Sequence, residues 1–249
     1  MPQHPEPPPR DRAALPPALA DVQVVVFDVF GTVVDWHGSI VREMAVRWPQ
    51  VDGHAFALAW RAGYQPAMER VRNGSRPWTV LDTLHREVLD EILPRFGLGH
   101  LDEAERAHLN RVWHRLDAWP DSAAGLQRLR QRLVVGALSN GNIGLLTRMA
   151  KHAGLPWDCV LSAEVFHAYK PLPAAYLGVA RVLDVPPAAV LLAAAHHDDL
   201  AAARACGLRT AYIERSFEYG VAQPKDVSPQ PGNDLHCHDI AALAAALGC

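Results

Sequence analysis

The feature that most constrains the fold is a short, continuous apolar run close to the N-terminus. Residues 22–28 read VQVVVFD, so β-branched side chains predominate and the run stops at an acid, Asp28. A continuous apolar run of this length is typical of a parallel strand covered on both faces, because such a strand has no solvent side. Gly31 and Thr32 follow, and these residues favour a turn. The sequence therefore predicts a buried strand that ends in a turn carrying Asp28.

Strand-like and helix-like segments alternate through the second half of the chain. This alternation predicts an α/β fold with a Rossmann-like, doubly wound parallel sheet. The tail 222–236 is polar and predicts a loop. The predicted strands are 133–139, 159–164, 190–195 and 209–214, and the predicted helices are 123–131, 143–153, 174–183, 200–205 and 239–247.

The stretch between the first strand and this alternating half has helical periodicity and few β-branched runs, so it predicts a helical cap inserted into the core. We therefore divide the chain into a proline-rich, disordered segment 1–20, a core made of 21–37 and 119–249, and a cap at 38–118. Two sets of apolar residues in the cap each share a helix face: Ile40, Met44 and Trp48, and then Leu81, Leu84, Val88 and Leu89.

Composition excludes several classes of partner and compartment. The net charge is -3 and basic residues form no stripe, which argues against nucleic acid. The sequence has no apolar run long enough for a membrane span, and its N-terminus has no apolar core for a signal peptide. The four cysteines show no CxxC spacing, which indicates free thiols in a reducing compartment. We expect a cytoplasmic protein without nucleic-acid or membrane partners.

Polar side chains follow four of the predicted strands or the turns after them. They are Asp28, the Ser139–Asn140–Gly141 turn, Lys170 and the segment 196–199, which reads HHDD. Ligands bind at the carboxyl ends of strands in open parallel sheets, so we expect these groups to meet at one edge. A carboxylate there can attack an electrophilic carbon or phosphorus and form an ester, although a lone aspartate more often caps a turn. A neighbouring lysine would keep that carboxylate ionised, and the Ser139 turn can hold an anion.

The chain resembles the haloacid dehalogenase superfamily at four ordered motifs. The resemblance begins at residue 22 and implies a Rossmann-like core with a cap inserted after the first motif. The motifs are DVFGTV (28–33), LSNGN (138–142), YKPLPAAY (169–176) and AAHHDDLAAAR (194–204).

One position within the first motif distinguishes the members of this superfamily. Phosphatases typically carry a second aspartate two residues after the nucleophile, to protonate the leaving group, whereas this chain has Phe30. An aromatic residue there makes the chain similar to the type II 2-haloacid dehalogenases. The pair Trp60–Arg61, the position of Tyr176 six residues after Lys170, and the segment 213–220 also resemble that group.

The resemblance implies a two-step reaction in which Asp28 displaces halide from C2 of a short 2-haloacid and water then hydrolyses the ester. It also implies no metal or other cofactor, and a homodimer. Trp60 and Tyr64 are expected near the site. The implied roles are Thr32 and Lys170 orienting Asp28, Tyr176 supporting the lysine, Asp199 positioning water, Arg61 and Asn140 holding halide, and Ser139 holding the substrate carboxylate.

The fourth motif departs from the type II pattern, and this keeps two alternatives open. Ala194, His196 and Asp198 stand where that pattern has Ser, Asn and Trp, so His196 is either a base or a structural residue. Asp28, Asp198 and Asp199 are the residues that would bind Mg²⁺ in a phosphatase or phosphonatase acting on a small phosphorylated metabolite. A non-catalytic binding protein of the same fold is a third reading, which the intact polar residues disfavour.

Overall fold

The computed structural model describes residues 19–249. Residues 1–18, most of the predicted disordered segment, lie outside the described residues. Leu19, which the prediction assigned to that segment, is buried and packs into the core. Among the described residues, no helix combines the length and the apolar character that crossing a bilayer requires.

The core of the described chain is a six-stranded parallel sheet, which confirms the predicted fold class. The eight strands of the described chain are β1 (Val24–Phe27), β2 (Val34–Asp35), β3 (Asp117–Ala118), β4 (Val134–Ser139), β5 (Cys159–Ser162), β6 (Val190–Ala194), β7 (Arg209–Ile213) and β8 (Leu235–Cys237). The strand order of the sheet is β5-β4-β1-β6-β7-β8, with β2 and β3 forming a separate antiparallel pair.

Strand β1 lies at the centre of the sheet, as its apolar sequence predicts. All four of its residues are buried, and Phe27 pairs with Ala137 of β4 on one side and Ala193 of β6 on the other. Buried clusters cover both faces of the sheet. The chain leaves β1 toward β4 in one direction and returns to β6 in the other, so the carboxyl end of β1 lies at the topological switch point, where such sheets bind ligands.

Ten α-helices occur in the described chain, and most of the predicted helices are present within a few residues. Helix α9 starts three residues earlier than predicted, so Asp198 and Asp199 lie in its first turn. The helices are α1 (Trp36–Arg47), α2 (Gly53–Arg72), α3 (Leu81–Ile92), α4 (Glu103–Asn110), α5 (Ser122–Leu129), α6 (Ile143–Ala153), α7 (Ala163–Phe166), α8 (Pro173–Val182), α9 (His197–Ala205) and α10 (Ile240–Ala246).

Two predicted boundaries are wrong, the first because of a local hydrogen bond and the second because of a pairing between distant strands. The predicted strand 159–164 ends at Ser162, because the Ser162 hydroxyl accepts a hydrogen bond from the Glu164 amide (3.0 Å) and caps α7. The predicted loop 222–236 overlaps β8, which adds to the sheet edge beside β7. The three residues of β8 form no apolar run that would predict a strand, and only Cys237 among them is buried.

The helical insert joins the core through the β2–β3 ribbon. Val34 pairs with Ala118 and Asp35 with Asp117, so the segment that leads from the core into the insert lies beside the segment that leads back. Asp35 caps α1 by accepting a hydrogen bond from the Gly38 amide (2.7 Å). The predicted cap boundary between residues 37 and 38 therefore falls inside the first turn of α1, and helices α1–α4 lie between the two ribbon strands.

Candidate active site

The Asp28 carboxylate is held at the carboxyl end of β1 by its own turn. Its Oδ2 accepts a hydrogen bond from the Thr32 hydroxyl (2.9 Å), and the Ala195 amide donates to that hydroxyl oxygen (2.9 Å). The turn needs Gly31, whose φ of +86° is unfavourable for a residue with a Cβ. The side chain is buried but lines a cavity, so it is fixed in one orientation and open to a ligand.

Lys170 joins Asp28 to the acidic residue of the fourth motif. Its Nζ donates to Asp28 Oδ1 (2.9 Å) and to Asp199 Oδ2 (2.5 Å). The Tyr176 hydroxyl donates to the other oxygen of Asp199 (2.6 Å). The structure thus brings together residues from three segments that are far apart in sequence, at the edge that strand topology predicts.

The electrostatics keep Asp28 ready as an anion. Burial alone would raise the pKa of Asp28, but the charge of Lys170 and the hydrogen bond and charge of His196 outweigh it and hold the pKa well below its usual range. Burial by itself would lower the pKa of Lys170, but the two carboxylates raise it further above its ordinary value. Asp28 is therefore ionised at neutral pH, as a carboxylate nucleophile must be.

A second charged layer lies behind Asp28. His196 Nδ1 is 3.1 Å from Asp28 Oδ2, and its Nε2 is 2.9 Å from Glu218 Oε1. The Nζ of Lys225 donates to the other oxygen of Glu218 (2.7 Å). Burial disfavours the charged imidazole, but Glu218 and Asp28 raise the pKa of His196 to about 9. The positive charges of His196 and Lys225 in turn outweigh burial and lower the pKa of Glu218 to about 2.

Sequence reasoning missed Glu218 and Lys225. The only signal for Glu218 was its place in the 213–220 segment, and the sequence gives no reason to connect Lys225 with the site. Both lie on the long connection between β7 and β8, which folds back over the carboxyl end of β6, where Lys225 also donates to the Ala195 carbonyl.

The cavity above these groups has a volume of about 570 Å³ and is closed on one side by α2 of the cap. Arg61 and Tyr64 line it from that helix, while Phe30 and Asn140 line it from the core. The Arg61 guanidinium stacks on the Tyr64 ring at 4.1 Å, and its buried Nη1 has no hydrogen-bond partner among residues 19–249. An unpaired cationic N–H in a cavity favours binding of an anion, because an unmade charged hydrogen bond is costly.

Phe30 occupies the position that would carry the proton donor in a phosphatase. Its ring lies edge-on to Trp113 at 5.6 Å and to Tyr64 at 6.5 Å. A phenyl ring neither donates a proton nor ligates a cation through its side chain. The residue at this position therefore supplies no proton to a leaving group.

Comparison with known proteins agrees with this arrangement. The family model described as haloacid dehalogenase-like hydrolase matches residues 22–207. The chain belongs to the haloacid dehalogenase-like hydrolases. A crystal structure of the L-2-haloacid dehalogenase PA0810 is 46% identical, with a TM-score of 0.87 over 91% of this chain and 99% of that one.

Curated relatives of this haloacid dehalogenase-like chain include two activities. An (S)-2-haloacid dehalogenase of Xanthobacter autotrophicus is 30% identical over 207 residues, which is 81% of this chain and 79% of the relative. The phosphatase MT3486 of Mycobacterium tuberculosis is 32% identical over 148 residues, which is 57% of this chain and 67% of the relative. Sequence similarity alone therefore does not separate dehalogenation from phosphate-ester hydrolysis, and the residues of the site are the better guide.

The predicted alternative set for Mg²⁺ does not fit the ion. The Lys170 ammonium lies between the carboxylates of Asp28 and Asp199 and occupies the space between them that an ion would need. The remaining member, Asp198, is exposed and lines the cavity from the first turn of α9. No cluster of three or more His, Cys, Asp or Glu side chains suited to a metal occurs in residues 19–249. No step through a metal follows from these residues.

Three predicted site residues do not line the cavity, and the first of them, Thr32, instead orients Asp28 through its hydroxyl. The Ser139 hydroxyl is buried and accepts a hydrogen bond from the Gly141 amide (3.2 Å), so it closes its own turn. Trp60 is buried inside the cap, where its indole N–H donates to the His85 carbonyl (2.9 Å). Successive residues of an α-helix point about 100° apart, so Arg61 faces the cavity while Trp60 faces α3.

Proposed function

We propose that this protein hydrolyses short 2-haloacids to 2-hydroxy acids through an ester on Asp28. The observation that carries the proposal is an Asp28 carboxylate kept ionised by Lys170, with Phe30 at the position where a phosphatase carries its proton-donating aspartate. Halide leaves as a stable anion and needs no proton, whereas the alcohol of a phosphate ester does. The haloacid dehalogenase relatives support the same reaction.

In the first step Asp28 attacks C2 of the haloacid and the carbon–halogen bond breaks. The unpaired Nη1 of Arg61 is the donor we assign to the departing halide, since a guanidinium supplies positive charge without titrating. Asn140 accepts from the Lys170 amide through Oδ1 (2.8 Å), which leaves its NH₂ group as the donor facing the ligand. Because Ser139 is turned away, the substrate carboxylate has to be held by donors other than that hydroxyl.

The second step is attack by water on the Asp28 ester carbonyl, which releases the 2-hydroxy acid. The reaction needs no metal in this proposal, because Lys170, Arg61 and His196 already provide positive charge around a monoanionic substrate. The Lys170 ammonium and the Thr32 hydroxyl remain in contact with the ester group as it reacts.

Halide release from a panel of small haloacids tests this function. We expect turnover of at least one enantiomer of 2-chloropropionate, or of chloroacetate or fluoroacetate, and the same turnover after exhaustive chelation. Asp28→Asn should reduce turnover by at least about 10³-fold, because it removes the nucleophile. No halide from any of these substrates, together with magnesium-dependent hydrolysis of a phosphate ester, would replace the proposal with the phosphatase reading.

Isotope labelling tests the ester route. In a single turnover in oxygen-18 water, the label should enter Asp28 first, because water attacks the carboxyl carbon of the ester. The released hydroxy acid should stay unlabelled. Labelled product with an unlabelled enzyme would indicate that water attacks the substrate directly.

The assembly and location of the protein are further parts of this proposal. We propose a cytoplasmic homodimer, from the family resemblance and from the free cysteines Cys159, Cys206, Cys237 and Cys249, which suit a reducing compartment. Sedimentation velocity of the full chain should give twice the monomer mass, and a monomer at micromolar concentration would refute the dimer.

A further inference from the structure

We propose that His196, positioned by Glu218, is the base that activates water for hydrolysis of the Asp28 ester. Asp28, His196 and Glu218 then form a carboxylate–imidazole–carboxylate triad built on this fold. The inference rests on the proposed function and assigns the residues of its second step.

The geometry of the triad is complete in the structure. His196 Nδ1 lies 3.1 Å from Asp28 Oδ2, and Nε2 lies 2.9 Å from Glu218 Oε1. His196 lines the cavity, and its side chain is 19% exposed, whereas the side chain of Glu218 is 0% exposed. The imidazole thus has one edge toward the reacting carboxyl group and the other toward a dry, ionised partner, as a base and its orienting carboxylate require.

Glu218 fixes which nitrogen of His196 is free. An ionised carboxylate only accepts hydrogen bonds, so Nε2 must carry a proton. In the neutral imidazole the lone pair is therefore on Nδ1, the nitrogen that faces Asp28. Tautomer and orientation are both set before the reaction begins.

The surroundings are shaped to hold Glu218 in this place. Trp36 Nε1 donates to Oε1 (3.3 Å) and Lys225 Nζ donates to Oε2 (2.7 Å). A Cβ on Gly31 would lie 2.3 Å from Oε1, so the glycine of the first motif leaves room for this carboxylate. The nucleophile turn and the β7–β8 connection therefore fit together at Glu218.

Ester formation changes the charge that His196 experiences. The titratable groups packed against it are Asp28 after β1 and Glu218 after β7, with Lys225 beyond Glu218 and Asp198 on its own helix. In the resting site the two carboxylates keep His196 protonated. Esterification removes the charge of Asp28 and its acceptor for Nδ1–H, so the imidazole loses one of the two interactions that favour its proton.

The protons balance over the cycle. Halide leaves as the ester forms, and His196 gives its Nδ1 proton to solvent, which accounts for the proton of the acid produced. Water then adds its oxygen to the Asp28 carboxyl carbon while His196 takes one of its protons. The bond between that carbon and the ester oxygen breaks, the departing alkoxide takes the second water proton, and Asp28 carboxylate and protonated His196 are restored.

Asp199 is less suited to this role. Its two oxygens accept hydrogen bonds from Lys170 (2.5 Å) and Tyr176 (2.6 Å), and it reaches Asp28 only through the lysine. We therefore assign Asp199 to positioning Lys170 rather than to removing a proton from water.

The test measures halide release and ester hydrolysis separately in the variants His196→Asn and Glu218→Gln. The matched control is His197→Asn. His197 stacks on Tyr212 at 4.0 Å, outside the triad. Rapid-quench halide measurement with an active haloacid should show a burst of one halide per site in both triad variants. Ester hydrolysis should then be slowed about 10²–10⁴-fold in His196→Asn, with the adduct on Asp28 visible by intact mass. The control should match the wild type.

The pH profile of ester hydrolysis distinguishes a base from a group that only stabilises the oxyanion. As a base, His196 must be neutral, so wild-type ester hydrolysis should rise with pH and level off, and Glu218→Gln should shift that profile to lower pH. A rate that falls as pH rises, or His196→Asn hydrolysing its ester at the wild-type rate, would overturn the inference. Wild-type enzyme that releases no halide at all would instead refute the proposed function.

Discussion

The ammonium of Lys170 holds two buried carboxylates at once. Asp28 and Asp199 both lie within hydrogen-bond distance of its Nζ, and all three side chains are at most 10% exposed. Removing one partner from a buried ion network leaves uncompensated charge, which costs more than the network contributes when intact. Lys170 is thus needed for stability as well as for keeping the nucleophile ionised.

We expect Lys170→Met to lower the free energy of unfolding by about 3–5 kcal/mol at pH 8 and to abolish halide release. Burial already raises the pKa of Asp199 above its ordinary value, and without the lysine that pKa rises further, while Asp28 loses the largest charge that lowers its own pKa. Stability from such groups is present at low pH and lost as pH rises, so the defect should be smaller at pH 5 than at pH 8. Urea unfolding at both pH values measures it.

Lys151→Met is the control for this prediction, because Lys151 is exposed on α6. Its free energy of unfolding should stay within about 0.5 kcal/mol of the wild type at both pH values. A Lys170→Met defect that is equal at pH 5 and pH 8 would contradict the assignment of the loss to the carboxylates.

At the scale of secondary-structure elements, the position of α2 decides whether the cap contributes to the site. This helix carries Arg61 and Tyr64 to the cavity. It packs against α3 at Gly63, where an added Cβ would lie 2.3 Å from Cγ1 of the buried Val88. The close approach of the two helices therefore depends on a missing side chain.

We expect Gly63→Ala to push α2 away from α3, at a cost of about 1–3 kcal/mol in the free energy of unfolding. Displacing Arg61 should lower kcat/KM for an active haloacid about tenfold. The double variant Gly63→Ala/Val88→Ala removes the overlap and should recover most of the lost kcat/KM. Thermal unfolding and halide release measure both effects.

Helix propensity provides the matched control here. Alanine is favoured over glycine in a helix interior by about 1 kcal/mol, so Gly63→Ala would be stabilising if packing were unimportant. In Gly144→Ala in α6 the added Cβ would lie 3.2 Å from the flexible Arg148 side chain and 3.9 Å from Asn142 Nδ2, so this change should be neutral or stabilising. Unchanged stability and activity in Gly63→Ala would contradict the packing argument.

At the scale of the whole molecule, the site is complete only when the cap lies on the core. Asn142 after β4 and Asp82 on α3 exchange two hydrogen bonds, from the Asp82 amide to Asn142 Oδ1 (3.2 Å) and from Asn142 Nδ2 to Asp82 Oδ2 (3.0 Å). The Tyr169 hydroxyl donates to the Thr79 carbonyl (2.6 Å) nearby. These polar contacts fix the cap over Asp28.

We expect Asn142→Ala to raise KM for an active haloacid about three- to tenfold while changing kcat less than twofold. The cap carries Arg61 and Tyr64 but not the nucleophile, so loosening it should weaken binding more than chemistry. The stability loss should be about 1 kcal/mol. Steady-state halide release measures both constants, with Gln127→Ala on the exposed face of α5 as the control.

A fall in kcat with unchanged KM would contradict this role for the cap contact. The Asn142 side chain makes no capping hydrogen bond to α6, so a kinetic effect cannot be assigned to loss of that helix end.

Local patterns in the sequence were sufficient to predict the fold class and the two central residues of the site, Asp28 and Lys170. An apolar strand ending in Asp28, the strand–helix alternation and the lysine before Pro171 predicted a parallel sheet with a nucleophile and its cation at one edge. These features depend on side-chain period and turn chemistry, which short segments determine by themselves. The helix α6 even has the predicted bounds, Ile143–Ala153.

Only the tertiary structure decided which neighbours each polar group has. Ser139 turned out to close its own turn and Trp60 to pack inside the cap, although both adjoin residues that line the cavity. Glu218 and Lys225 reach Asp28 through His196 because the β7–β8 connection folds over the sheet edge, a placement that no local pattern encodes. Side-chain direction and contacts between distant segments depend on packing of the whole chain, so the sequence left the role of His196 open and only its contacts with Asp28 and Glu218 support the role we propose.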